Sequence, residues 1–181
     1  MEKRDSGAAE GWRQVLEVLR GPGLLLATTD ADGKPNVMTI GWAQLGIGWG
    51  KPIVTVLMRP SRNTYAMLEA VPDFTINVPT PAMDDLCQYC GTVSGRDEDK
   101  FRRPDLTAVA SRHVESPVID ECVLHYECRV VHKNDGAPET LSDDILTGAY
   151  ASGDFHRIYS GEVLAVYGAP DFEARIARVG L

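Results

Sequence analysis

A run of closely spaced glycines, Gly46-Ile47-Gly48-Trp49-Gly50, passes through Lys51-Pro52 straight into Ile53-Val54-Thr55-Val56-Leu57-Met58. This junction limits the possible folds more than any other stretch. A dinucleotide-binding glycine loop must leave a strand and open a helix, so that free N–H groups face the pyrophosphate. Here a β-branched strand follows instead. The glycines are therefore read as a tight connection or a close backbone approach.

The rest of the chain agrees with that exclusion. Trp12, Val15, Leu16 and Leu19 fall on one face of an amphipathic helix, which Gly21-Pro22-Gly23 stops. Leu24 to Thr29, the turn Asp30-Ala31-Asp32-Gly33-Lys34 and Asn36 to Ile40 read as a hairpin. Ser61 is expected to cap a helix over Arg62 to Ala70, followed by a strand from Phe74 to Val78. Thr80-Pro81 starts a second helix, with Asp84 and Asp85 near its positive end, which ends around Cys90-Gly91. Leu124, Tyr126, Cys128 and Val130 share one face of a strand, and His125, Glu127 and Arg129 share the other. Asp135 to Asp154 is a long connection with one helical turn at Asp143 to Leu146. Ile158 to Tyr167 is a last strand bearing a bulge or close approach at Gly161, and Asp171 to Leu181 is a short helix closed by Gly180. Strands and helices do not alternate regularly, which excludes a doubly wound sheet and favours a mainly β, mostly antiparallel barrel with short flanking helices.

The 181 residues fit one domain, with its core over about residues 20–170. A net charge of -8 argues against nucleic acid or an anionic membrane as the main partner. No apolar run reaches the ~18 residues a membrane span needs. The polar N-terminus lacks the apolar centre of a signal peptide. The expectation is a cytoplasmic protein with reduced cysteines, in which any anionic ligand is held by a local cluster of positive charge.

Asn36 to Tyr65 has two chemically different ends. Met38, Ile40 and Trp42 alternate with Val37, Thr39 and Gly41, offering an apolar face with polar groups at Asn36 and Thr39, as a flat aromatic cofactor needs. For Met38 and Ile40 taken alone, plain core packing is the better explanation. Arg59, Ser61, Arg62 and Thr64 combine guanidiniums, hydroxyls and a helix start, which suits a phosphate. Spacing alone leaves the alternative of surface charges and a simple cap open.

Cys87-x-x-Cys90 and Cys122-x-x-His125 invite comparison with a zinc site. Alternation puts Cys122 and His125 on opposite sides unless Cys122 lies in the preceding turn, so no metal is expected. A thioredoxin-like dithiol would want a βαβ setting, which is missing. Cys90 is read as a small residue beside the ligand. His156 falls at a loop–strand junction, and nothing supports a hydrolytic triad or a paired-carboxylate site.

Five segments in register resemble the flavin reductase-like FMN-binding family, its flavoredoxin branch above all. They are Asn36–Trp42, Arg59–Tyr65, Asn77-Val78-Pro79, Tyr89–Gly91 with Ser94–Phe101, and His156 leading to Gly161-Glu162-Val163. The resemblance spans Leu24 to Tyr167. It implies a split β-barrel that forms a homodimer with FMN near the interface, and electron transfer from NADH or NADPH through FMN to free flavin or a redox partner protein. A non-catalytic FMN carrier or sensor is the alternative. The resemblance further implies that Asn36, Met38, Thr39, Ile40, Gly41 and Trp42 line the ring and ribityl chain, and that Arg59, Ser61, Arg62 and Thr64 hold the phosphate. Cys90, Gly91, Ser94, Gly95, Arg96 and Lys100 would close over the flavin, and His156 would be the catalytic candidate beside the nicotinamide.

Overall fold

A computed structural model describes residues 3–177. Ten strands and five α-helices succeed one another: β1 (Arg4–Asp5), α1 (Trp12–Arg20), β2 (Leu24–Thr29), β3 (Pro35–Ile40), β4 (Ala43–Gly48), β5 (Lys51–Met58), α2 (Asn63–Ala70), β6 (Asp73–Val78), α3 (Asp84–Thr92), β7 (Ala108–Val109), β8 (Val118–Ile119), β9 (Leu124–Asp135), α4 (Asp143–Ala149), β10 (Arg157–Gly168) and α5 (Phe172–Ile176). One antiparallel sheet runs β3-β2-β6-β9-β10-β5-β4, with β1 added to β10. β7 and β8 pair separately.

The glycine cluster is where the structure departs furthest from expectation. Most of it is strand, and only its last two residues form the tight connection expected. Gly46 and Gly48 lie within β4, in register with Ile53 and Lys51 of β5. The turn is Trp49-Gly50, with φ of 52° and 73°, the two left-handed residues of a type I′ hairpin. Glycine supplies the second at no steric cost; Trp49 adopts the first, with its ring 5.7 Å from that of His132.

Helix α1 buries Val15, Val18 and Leu19 and leaves Leu16 at 38% exposure. The buried stripe is thus rotated from the one expected, because Val18 faces the core and Trp12 packs edge-on against Tyr126 at 6.0 Å. β9 and β10 pair along their lengths, with register shifts at Ser160/Gly161 and Val163/Ala165. β9 continues past Val130 to Asp135, and α4 makes seven residues of helix where one turn was expected. The Gly180 stop lies outside the described residues.

The first five residues of β9 are buried on both faces. Leu124, Tyr126 and Cys128 join the main core, together with Val54, Val56, Phe74 and Tyr159. On the other face, the Glu127 carboxylate accepts N–H bonds from Arg112 (2.8 Å) and His113 (2.7 Å) and the Tyr167 hydroxyl at 2.6 Å. Asp73 likewise accepts the N–H groups of Glu115 and Ser116. Two buried carboxylates thus strap the segment around residues 112–116 over the sheet. A second apolar cluster, including Leu25, Val37, Leu86, Cys87, Cys90 and Cys122, seats α3 on β2 and β3. That packing fixes the end of α3 beside β3, where the candidate site begins.

Candidate cofactor site

β3 runs beneath two adjoining cavities that meet at Met38 and Arg62. The first, of about 200 Å³, is walled by Met38, Thr39, Ile40, Gly41 and Trp42 on one side. The end of β5 (Leu57, Met58), Arg59, Arg62 and His156 complete it. The second, of about 240 Å³, lies between Asn36, Met38, the Ser61–Thr64 start of α2, the α3 end from Cys90 to Val93, the Ser94–Arg96 loop and Lys100. Every residue proposed for the cofactor, and His156, lines one or the other. Sequence reasoning missed Leu57, Met58, Asn63, Thr92 and Val93. The first two close the β-branched run just before Arg59, a position that could have marked them.

Charge in the second cavity is lopsided. The Lys100 side chain is buried, and its ammonium donates to the carbonyls of Val37 and Cys90, each at 2.8 Å. The Cys90 carbonyl lies in the last turn of α3, where carbonyls lack helical partners, so Lys100 ties the helix end to β3. Burial lowers its pKa. Arg96 donates to the carbonyls of Ser61 and Arg62. Among the described residues, the Arg62 guanidinium has no hydrogen-bond or ion-pair partner. Among the described residues no carboxylate comes within ion-pairing distance of Lys100, Arg62 or Arg96. Asn36 donates to the Thr64 hydroxyl at 3.0 Å, leaving its carbonyl oxygen next to Gly95.

Two residues grouped with Arg62 are engaged elsewhere. Arg59 spends its fork on backbone carbonyls, those of Gly153 (3.3 Å), Asp154 (3.2 Å) and Ala149 (2.8 Å). It lines the first cavity, not the second. Ser61 does not cap α2, which starts at Asn63 with no side-chain cap. Its hydroxyl donates to Asp154 at 2.6 Å, and its N–H reaches the same carboxylate at 3.3 Å. The strand alternation expected to carry Trp42 also ends early. β3 stops at Ile40, and Trp42 lies in the bend before β4, 46% exposed, with its ring 5.0 Å from that of His156.

His156 is buried, and its Nδ1 meets the Tyr150 hydroxyl at 2.7 Å. Desolvation, and then the Arg59 charge, push its pKa down to about 4, so the ring is neutral at pH 7. Thr39 donates to the Cys87 carbonyl at 2.5 Å, which fixes its rotamer against α3.

The four cysteines are buried, and none forms a disulfide among the described residues. Burial raises Cys90 to about 11 and holds Cys122 and Cys128 well above the usual thiol range. Protonated thiols are poor nucleophiles and poor metal ligands. Cys122 lies in the turn ahead of β9. Among the described residues no group of three or more His, Cys, Asp or Glu could hold a metal. No helix among them is long and apolar enough to cross a membrane.

Residues 21–176 match the flavin reductase like domain. The chain belongs to that family. An uncharacterised protein of Archaeoglobus fulgidus is 34% identical over 108 residues, which are 60% of this chain and 60% of the relative's own length. The flavoredoxin of Desulfovibrio vulgaris superposes with a TM-score of 0.65 at 27% identity, covering 82% of this chain and 69% of its own. A Shewanella frigidimarina protein with a split barrel domain gives 0.67 at 19% identity, over 87% and 73% of the two chains, and so shares the fold.

The site suits the flavin this family binds. An anionic phosphate answers the uncompensated cations and the α2 N-terminus of the second cavity. The apolar walls of the first, with Thr39 and backbone groups at its rim, suit a flat ring.

Proposed function

We propose that this protein is an FMN-dependent oxidoreductase that takes electrons from NADH or NADPH and passes them to free flavin or a protein acceptor. The observation that carries this reading is that, among the described residues, no carboxylate pairs with Lys100 or Arg62 in a cavity that opens onto the apolar one. Arg62, the Thr64 hydroxyl and the first N–H groups of α2 hold the phosphate, and Lys100 contributes positive charge from below. Met38, Ile40 and Trp42 pack on the ring. Bound there, FMN supplies the redox chemistry.

The chain's own residues position the partners and keep water out. His156, neutral and packed on Trp42, stands where a nicotinamide would enter. Arg59 holds the loop that carries it. The exposed apolar side chains of Trp42 (46%), Ile47 (78%) and Trp49 (68%), on and beside the outer strand β4, support a homodimer formed through this face.

The test is optical. Protein mixed with FMN and freed of excess should be yellow, and anaerobic NADH or NADPH should bleach it within seconds. A yellow protein that neither nicotinamide bleaches would replace this reading with a carrier or sensor of FMN. Failure to retain any FMN would overturn both. Light scattering of the eluted protein decides the dimer.

A further inference from the structure

Three contacts converge on Tyr150, which no sequence motif singled out. Its ring stacks on Phe155 at 4.8 Å with the planes 24° apart. The Arg59 guanidinium sits 5.3 Å above the ring while donating to the carbonyl of Ala149, the preceding residue. Its hydroxyl meets His156 Nδ1 at 2.7 Å. The phenol is thus held from two sides and aimed at one nitrogen of a neighbouring ring.

A neutral imidazole has one donor and one acceptor nitrogen, and the partner of one fixes the role of the other. Among the described residues the Tyr150 hydroxyl has no acceptor other than Nδ1. If Nδ1 carried the proton, the phenol proton would be left without a protein partner in a half-buried position, which is costly. The favoured arrangement has the phenol donating to Nδ1, so that Nε2 bears the hydrogen. Among the described residues Nε2 has no partner; it is not one of the sealed unpaired atoms, and it belongs to a residue lining the ring cavity.

We infer that Tyr150 is a positioning residue that locks His156 in its Nε2–H tautomer, so that the cavity meets a neutral N–H donor suited to an acceptor oxygen such as that of a nicotinamide carboxamide. The tautomer stands on this geometry together with the neutral state of the ring. The ligand half rests on the electron-transfer reading above.

Histidine-labelled protein without flavin decides the first half by ¹⁵N NMR at pH 7, with His156→Gln to assign the signal. His156 is expected to show a pyridine-type Nδ1 and a pyrrole-type Nε2. Tyr150→Phe, which keeps both ring contacts, is expected to move the pair toward a mixture of tautomers. A protonated Nδ1 in the wild type, or an unchanged spectrum in Tyr150→Phe, overturns the assignment. For the second half, NADH added to FMN-loaded protein is expected to shift the Nε2 resonance. NADH oxidation with Nε2 unmoved overturns the carboxamide contact and leaves the electron-transfer reading standing. Protein that neither holds FMN nor oxidises NADH defeats that reading and the carboxamide contact with it, and the tautomer measurement still decides the role of Tyr150.

Discussion

The carboxylate of Asp154 holds both donors of Ser61, its hydroxyl at 2.6 Å and its N–H at 3.3 Å. Those are the groups a phosphate would use at the start of α2. An internal anion thus stands at the edge of the cavity proposed for an external one.

If the phosphate displaces that carboxylate, Asp154→Asn will tighten FMN binding by about tenfold, or 1.4 kcal/mol, by removing a competitor and a like charge. Asparagine tolerates the left-handed backbone at this position, where φ is 57°. Riboflavin, which has no phosphate, is the control. Fluorescence titrations in which both flavins respond equally would show that Asp154 and the phosphate do not compete.

Arg62→Ala will weaken FMN binding by about 1.5–3 kcal/mol, the worth of a hydrogen bond to a charged group, and leave riboflavin affinity nearly unchanged. Equal losses for the two ligands would place Arg62 against the ring instead. Arg59→Ala is expected to act differently. Its guanidinium holds three carbonyls of the 149–154 segment, so its loss will speed amide exchange there more than it alters phosphate affinity.

Gly95 leaves no room for a side chain. A Cβ there would come 2.2 Å from Asn36 Oδ1 and 3.0 Å from Asn63 Nδ2. The Asn36 amide is pinned by its bond to Thr64 and cannot swing away freely. Gly95→Ala will cost about 1–3 kcal/mol of stability, or will lift the Ser94–Arg96 loop and lower FMN affinity. Unaltered melting temperature and affinity together would show that the loop yields without consequence.

Acid will destabilise the fold through its buried histidines. His125 is buried, with Nδ1 on Asn77 at 2.8 Å and Nε2 unpaired, and burial lowers its pKa from 6.5 to about 3. Below pH 6.5 the unfolded chain takes up a proton that the folded chain refuses until near pH 3. Stability is therefore full above pH 6.5 and falls as the pH drops, by about 1.4 kcal/mol per unit for this residue. His156, lowered to about 4, adds to the same window. Urea titrations at pH 7 and pH 5 measure the slope. His125→Phe will reduce the difference between the two, whatever it does to stability at pH 7, because Asn77 keeps the Ile119 N–H.

What the sequence revealed depended on whether the cause was local. The Asp30–Lys34 turn, the β-branched run of β5 and the existence of helix α1, though not its buried stripe, announce themselves within a few residues. Gly46 and Gly48 did not read as a strand, because their pairing is supplied by β5 and not by their own propensity. Ser61 and Arg59 were grouped with Arg62 by spacing and chemistry. Nothing near them in the chain says that carbonyls and a carboxylate some ninety residues on will claim them. Tyr150 went unnoticed for the same reason, since its partner matters only once the 150–156 loop is folded. Chemistry and spacing suggested Asn36–Trp42 for a ring and Arg59–Thr64 for a phosphate, the family resemblance added the Cys90–Lys100 loop and the role of His156, and only long-range contacts separate Arg59 and Ser61 from Arg62.

The unanswered cations have a consequence for the protein's abundance. Folding gathers Lys100, Arg62 and Arg96 around one cavity, and like charges brought together raise the energy of the compact chain. An anion that settles there relieves the repulsion and, by binding only the folded state, shifts the population toward it. Inorganic phosphate or pyrophosphate in the buffer will raise the melting temperature where chloride at equal ionic strength does not. If FMN is that anion, as proposed, a cell short of it would hold more of the empty chain, the form more readily unfolded and degraded, and the protein's steady-state level would follow cofactor supply.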